Sequence, residues 1–255
     1  MTIIEKIRLG SLQLPTISRV VLQVMKSLRD EDFNILHVAA LLKQDPVLSA
    51  RLLRLSNSAY FKGSKQLLSI DDAVIHVGLH ALGNLVLCCG VAGAFSNVKG
   101  IDLRMFWQES LTAAQVGHFL ALESSQDPDV AYAANLLHGV GSLVMLSLPE
   151  TEWAPFDGVT AKAGAAWLEY LKFPHSIVSA VERQEMPVQT SDSLLQALVS
   201  VASSIAKLHY RGIENEEIPD ALDKVALSLL GLEKSAVSAL INEQMSAWTS
   251  TPSVN

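Results

Sequence analysis

The chain has 255 residues, 49% of them hydrophobic and 18% charged, with a formal net charge of −7. That length holds one large domain or two small ones, and the composition supports a sizeable core rather than long disordered tails. The acidic balance, with no basic cluster denser than Arg51 and Arg54, argues against nucleic acid or an anionic membrane as a partner.

Residues 1–10 read as a short helix or arm, whose Glu5, Lys6 and Arg8 leave no signal-peptide core. After Pro15, the spacing of Ile17, Val20, Val21, Val24, Met25 and Leu28 predicts an amphipathic helix, and a second runs from Ile35 to Leu42. Asp45 is placed to N-cap a third helix with Pro46 at its first position. Its apolar stripe is Leu48, Leu52, Leu53 and Leu55, and it closes at Ser56-Asn57-Ser58. Ser69 with Asp72 resembles a capping box and opens a short helix that stops near Gly78. A longer apolar helix spans about His80 to Phe95. It holds the only cysteines, Cys88 and Cys89, which as helical neighbours are poorly placed to bridge and read as buried thiols in a reducing compartment.

Gly100 punctuates a loop. Helical periodicity resumes at Leu103 and carries Phe106, Leu111, Val116, Phe119 and Leu122. Asp127–Pro128 starts a helix predicted to continue to Leu146, and a loop follows over 149–159. Further helices are predicted at about 160–172, 174–184, 193–210, 217–230 and 233–247. The longest apolar run, Leu85 to Phe95, is shorter than the ~20 residues that cross a bilayer, so a soluble, cytoplasmic protein is expected. No segment alternates long enough to be a strand. The expected fold class is all-α.

The stretch from Asp45 to Gly78 also carries a set of short motifs in fixed order. They are Asp45–Pro46, the run Arg51-Leu-Leu-Arg-Leu-Ser-Asn-Ser-Ala-Tyr60, Ser69–Ile70 with Ala73, and Gly78–Leu79. On these residues the chain resembles the HDOD family, the HD-related output domains of bacterial signalling proteins. The likeness extends more weakly from Leu14–Pro15 to about residue 212. It implies a single body over 1–255, with an N-terminal helical bundle over 1–100 packed on an HD-like helical core over 101–255.

In the HD superfamily that core binds metal and hydrolyses phosphoesters, which needs several imidazole and carboxylate ligands around the cation. By the resemblance, the His-Asp pair corresponds to His138-Gly139, and a glycine has no ligand atom to give. The histidine of a W-x-H-S motif corresponds to Glu109, a later histidine pair to Gln184 and Glu185, and a late aspartate to Ser203. Glu109, His138 and Glu185 therefore remain as residual metal candidates. Asn57, Arg51 and Tyr60 are candidates for a ligand groove between the two halves. His76 and His80 are four apart, but Gly78 between them breaks a helical metal pair, and His118 among apolar neighbours reads as structural.

The resemblance implies a signal-transduction module that binds a partner protein or a small ligand, and the lost ligand positions argue that it is non-catalytic, with no cofactor expected. The alternative is a metal-dependent phosphohydrolase acting on nucleotides or related phosphoesters, with Mn, Fe, Mg or Zn held by the residual set. The last two helices, with Leu222, Val225, Leu229, Leu230, Val237, Leu240 and Ile241, either cap the core or form a homodimer face.

Overall fold

A computed structural model describes residues 1–28, 34–57, 66–149 and 159–249. Among them every regular element is a helix: α1 (Ile3–Arg8), α2 (Arg19–Ser27), α3 (Ile35–Leu42), α4 (Pro46–Ser56), α5 (Ile70–Val77), α6 (Leu79–Ala94) and α7 (Leu103–Glu123). There follow α8 (Pro128–Leu137), α9 (Val140–Leu146), α10 (Val159–Tyr170), α11 (His175–Arg183), α12 (Leu194–Tyr210), α13 (Lys224–Leu229) and α14 (Lys234–Thr249), with a 3-10 turn at Ile218–Asp220. They divide into two compact units, Thr16–Asn97 in one and Met1–Pro15 with Val98–Thr249 in the other.

In the smaller unit, short polar residues open each helix where the pattern predicts. Asp45 Oδ1 accepts from the Leu48 amide at 3.0 Å, and Ser69 Oγ accepts from the Asp72 amide at 3.0 Å. The Asp72 carboxylate takes the Ser69 hydroxyl at 2.7 Å instead of a backbone N–H, so the capping box is only half made. Gly78, at φ +82°, turns the chain from α5 into α6, a conformation that favours glycine. The missing side chain of Gly90 lets Val21 and Ile17 of the same unit reach the α6 backbone, and that of Gly93 does the same for the Arg51 guanidinium.

The larger unit is built around α7, buried from Trp107 to Ala121 and packed on α8 and α12. The N-terminal arm belongs here. Ile7 of α1 is buried, Arg8 Nε pairs with Glu169 at 2.8 Å, and the Trp167 indole donates to the Pro15 carbonyl at 3.3 Å. At the other end of the chain Leu222, Leu230, Val237 and Ile241 join one buried cluster with Val116, Leu120 and Leu198, so the last two helices give their apolar faces to the core.

Two predicted helices are interrupted. The segment 217–230 holds a 3-10 turn and then α13, because Pro219 and the N-cap Asp223 each start a new element. The segment 127–146 breaks at His138–Gly139 into α8 and α9. From Pro128 to Leu146 it has the length and mean hydropathy, 1.2, of a membrane span, yet 67% of that window is buried inside the protein. It is a pair of core helices.

Candidate functional site

The break between α8 and α9 forms one wall of a cavity of about 710 Å³ in the larger unit. Asp127 starts α8 by accepting from the Asp129 and Val130 amides, and His138 ends that helix at the cavity wall. At the break, His138 Nδ1 lies 2.6 Å from the Asn135 carbonyl. A carbonyl can only accept, so Nδ1 holds the proton and the neutral ring keeps its lone pair on Nε2. Burial pushes the His138 pKa down, the Asn135 bond pulls it up, and nearby Lys207 pushes it further down. His138 therefore stands in the cavity wall as a neutral acceptor.

Gly139 has ordinary right-handed backbone, φ −84° and ψ 0°, so nothing in its conformation excludes a side chain. The obstacle is Phe106. A Cβ at Gly139 would lie 2.9 Å from one Phe106 ring carbon and 3.2 Å from another. The Gln184 amide, where a metal-binding relative would present a histidine, donates to the His138 carbonyl and pins the break from α11. Ser203 directs its hydroxyl 3.3 Å to the Ser200 carbonyl.

Glu109 and Glu185 line the same cavity as His138. Burial raises the Glu109 pKa, while Lys207 and Arg211 oppose that rise. Glu185 is exposed. The three candidates are thus brought to one cavity, but among the described residues no three His, Cys, Asp or Glu side chains come close enough to hold a metal ion. Asp223 also lines the cavity, yet Oδ1 accepts from the Val225 and Ala226 amides and Oδ2 from the Val188 amide. With an amide, a hydroxyl and a ring-covered glycine at the other ligand positions, these residues do not fit a dinuclear metal centre.

Sequence reasoning missed the hydroxyls. Ser110, Ser142, Thr160, Ser200 and Ser204 line the cavity, with Lys207 at one end. The available signal was the spacing Ser200, Ser203, Ser204, Lys207, which puts all four on one face of α12.

The groove candidates lie in the smaller unit. Asn57 is spent on neighbouring backbone: Nδ2 donates to the Leu53 and Leu67 carbonyls and Oδ1 accepts from the Leu67 amide, all at 2.8 Å. Arg51 rests against Gly93, and Tyr60 lies outside the described residues. Cys88 and Cys89 are free and buried. Burial pushes the Cys88 thiol well up and the Cys89 thiol to about 12, against the opposing pull of Arg51 and Arg54. Gly78 puts His76 and His80 on different helices. His118 bonds the Pro128 backbone, and burial lowers its pKa.

The described residues form an all-α protein in which a helical core broken at a histidine walls one cavity. Comparison with known proteins makes this specific: the HDOD domain matches residues 14–166, and the chain belongs to that family. It is similar in structure to a candidate phosphohydrolase from Shewanella amazonensis SB2B, with TM-score 0.78, 25% identity, and 96% of this chain and 94% of that one covered. It is also similar to a candidate signal transduction protein from Marinobacter aquaeolei VT8, with TM-score 0.68, 17% identity, and 94% and 59% covered. An uncharacterized protein of Treponema pallidum (strain Nichols) is 29% identical over 136 residues, 52% of this chain; the match spans 26% of that relative's length.

Proposed function

We propose that this chain is a non-catalytic regulatory module of bacterial signalling, whose state is set by a small ligand or a partner rather than by turnover. The observation that carries the reading is the Phe106 ring packed against Gly139. A lost ligand side chain with its space left open could be compensated by water or a shifted carboxylate. Here a side chain at Gly139 would press on the edge of the Phe106 ring, which supports a site no longer shaped for a metal. Without bound metal, neither the water activation nor the phosphate charge offset of a metallohydrolase is available.

One observation favours the second reading, a metal-dependent phosphohydrolase: Glu109, His138 and Glu185 line one cavity. The Shewanella relative's description points the same way. Elemental analysis of protein purified without chelator, paired with manganese-supplemented hydrolysis of a generic phosphodiester, decides between them. The regulatory reading expects well under one metal per chain and no turnover. Near-stoichiometric metal with turnover lost in His138→Ala would overturn it.

A further inference from the structure

We infer that the cavity takes a small hydroxylated amine, bound through its ammonium group and without a metal. This rests on the reading of the cavity as a ligand site and names the chemistry that site selects.

The first support is charge. Among the described residues Glu109, Glu185 and Asp223 line the cavity, against Lys207 as the single cation of that lining. Three backbone amides orient the Asp223 carboxylate, but hydrogen bonds leave its charge in place. Glu109 is half-buried in the field of Lys207 and of Arg211, which stands outside the lining. Carboxylates still outnumber cations when Arg211 is counted. A concave site with a surplus of one sign concentrates ligands of the other, and the net charge of −7 on the whole chain adds in the same sense. An anion would be repelled, and a neutral molecule would leave the carboxylates unmatched. A metal ion needs three ligand side chains close together, which the described residues do not supply. An ammonium group needs no such convergence.

The second support is hydrogen-bond polarity. Ser110 of α7 lines the cavity at 1% exposure, and among the described residues its hydroxyl has no hydrogen-bond partner. Buried polar groups are rarely left so, and a ligand in the cavity would complete this one. His138 Nε2 is a fixed acceptor in the same wall. Ser203 donates its proton to the Ser200 carbonyl, so its oxygen is left to accept. With the three carboxylates, these groups give the walls more acceptors than donors, whereas an ammonium has three donors and no acceptor. Ser142, Thr160 and Ser204 can each donate and accept, which suits hydroxyls on the body of the ligand. The volume, about 710 Å³, lies within the usual range for small-molecule sites.

The test is calorimetric titration of the full chain with glucosamine, glucose, N-acetylglucosamine, butylamine and gluconate, in phosphate buffer with EDTA and below the pKa of the amine. Glucose and N-acetylglucosamine keep the hydroxyls without the charge, butylamine keeps the charge without the hydroxyls, and gluconate reverses the charge. Glucosamine should bind, with the neutral sugars and butylamine roughly tenfold weaker or worse and gluconate not binding. Glu185→Gln, at an exposed position, should weaken glucosamine several-fold and flatten its salt dependence. Lys207→Gln, also exposed, should tighten it several-fold by removing the competing cation. Ser110→Ala should weaken it without loss of stability, because the hydroxyl it removes bonds no described residue. No binding by glucosamine, equal binding by any of the other four, or an affinity indifferent to both charge variants would each overturn the inference. Manganese-dependent hydrolysis of a generic phosphodiester, lost in His138→Ala, would instead overturn the non-catalytic reading beneath it.

Discussion

Gly139 and its neighbour Phe106 make two explanations of the missing aspartate separable by substitution. If the position had merely lost a ligand, Gly139→Asp would be tolerated and would add a carboxylate to the cavity wall. With ring carbons 2.9 and 3.2 Å from the new Cβ, it should instead destabilise the fold by about 1–3 kcal/mol, the usual cost of overpacking. It should also gain no metal. Denaturant unfolding would measure the loss, and in the double variant with Phe106→Ala the two penalties should fall short of their sum. His138 gives a second prediction. Burial holds its folded-state pKa below the ordinary 6.5, at which the unfolded chain protonates. Its stabilising contribution is therefore complete above that value and declines as pH falls below it, with His118 acting in the same sense. Glu109, raised above 4.5, works oppositely at lower pH, where the folded state takes up its proton first. Unfolding midpoints should fall between pH 7.5 and about 5.5, and less steeply in His138→Gln. An unchanged slope in that variant would show that His138 is not the group responsible.

Among the helices, α9 and α10 bear most directly on the cavity, because Ser142 and Thr160 stand on either side of their crossing. The crossing exists because Gly141 and Gly164 have no side chains. A Cβ at Gly141 would lie 1.9 Å from the Thr160 carbonyl oxygen, a backbone atom that cannot rotate away. Gly141→Ala should therefore cost about 3 kcal/mol and weaken any ligand that bridges the two hydroxyls, as read by thermal unfolding and by titration. Helix starts at Asp45–Pro46, Asp127–Pro128 and Ser69 were legible in the sequence because a cap is a local event, a side chain bonding an amide two or three residues on. The break at His138–Gly139 was not. The run from Ala131 to Leu146 is mostly apolar and holds no proline, and what interrupts it is tertiary: Gln184 at the end of α11 donates to the His138 carbonyl, and the Phe106 ring of α7 lies against Gly139. The residual set Glu109, His138 and Glu185 could be read by motif position, whereas a serine stripe inside α12 looks in sequence like any solvated helix face. Only the packing around it turns it into a cavity wall.

At the scale of the whole molecule, the first fifteen residues join the unit that otherwise begins more than eighty residues later. The family resemblance put them in an N-terminal bundle over 1–100, and a six-residue helix carries too little pattern of its own to name its partner. What holds them is the burial of Ile7, the Arg8–Glu169 pair and the Pro15 carbonyl that accepts the Trp167 indole. The ion pair is half exposed on both sides and contributes little. Burying Ile7 is worth about 1.5–3 kcal/mol and the indole bond about 1 kcal/mol. Deleting residues 1–15 should therefore destabilise the larger unit by about 3 kcal/mol. Trp167, buried at 0% exposure, should at the same time gain contact with water. A red-shifted tryptophan emission in the deletion variant, absent when Trp167→Phe is combined with it, would assign the change to that indole. An unshifted spectrum with full stability would mean that the arm is dispensable, and that α10 holds its place against α9 and α11 alone.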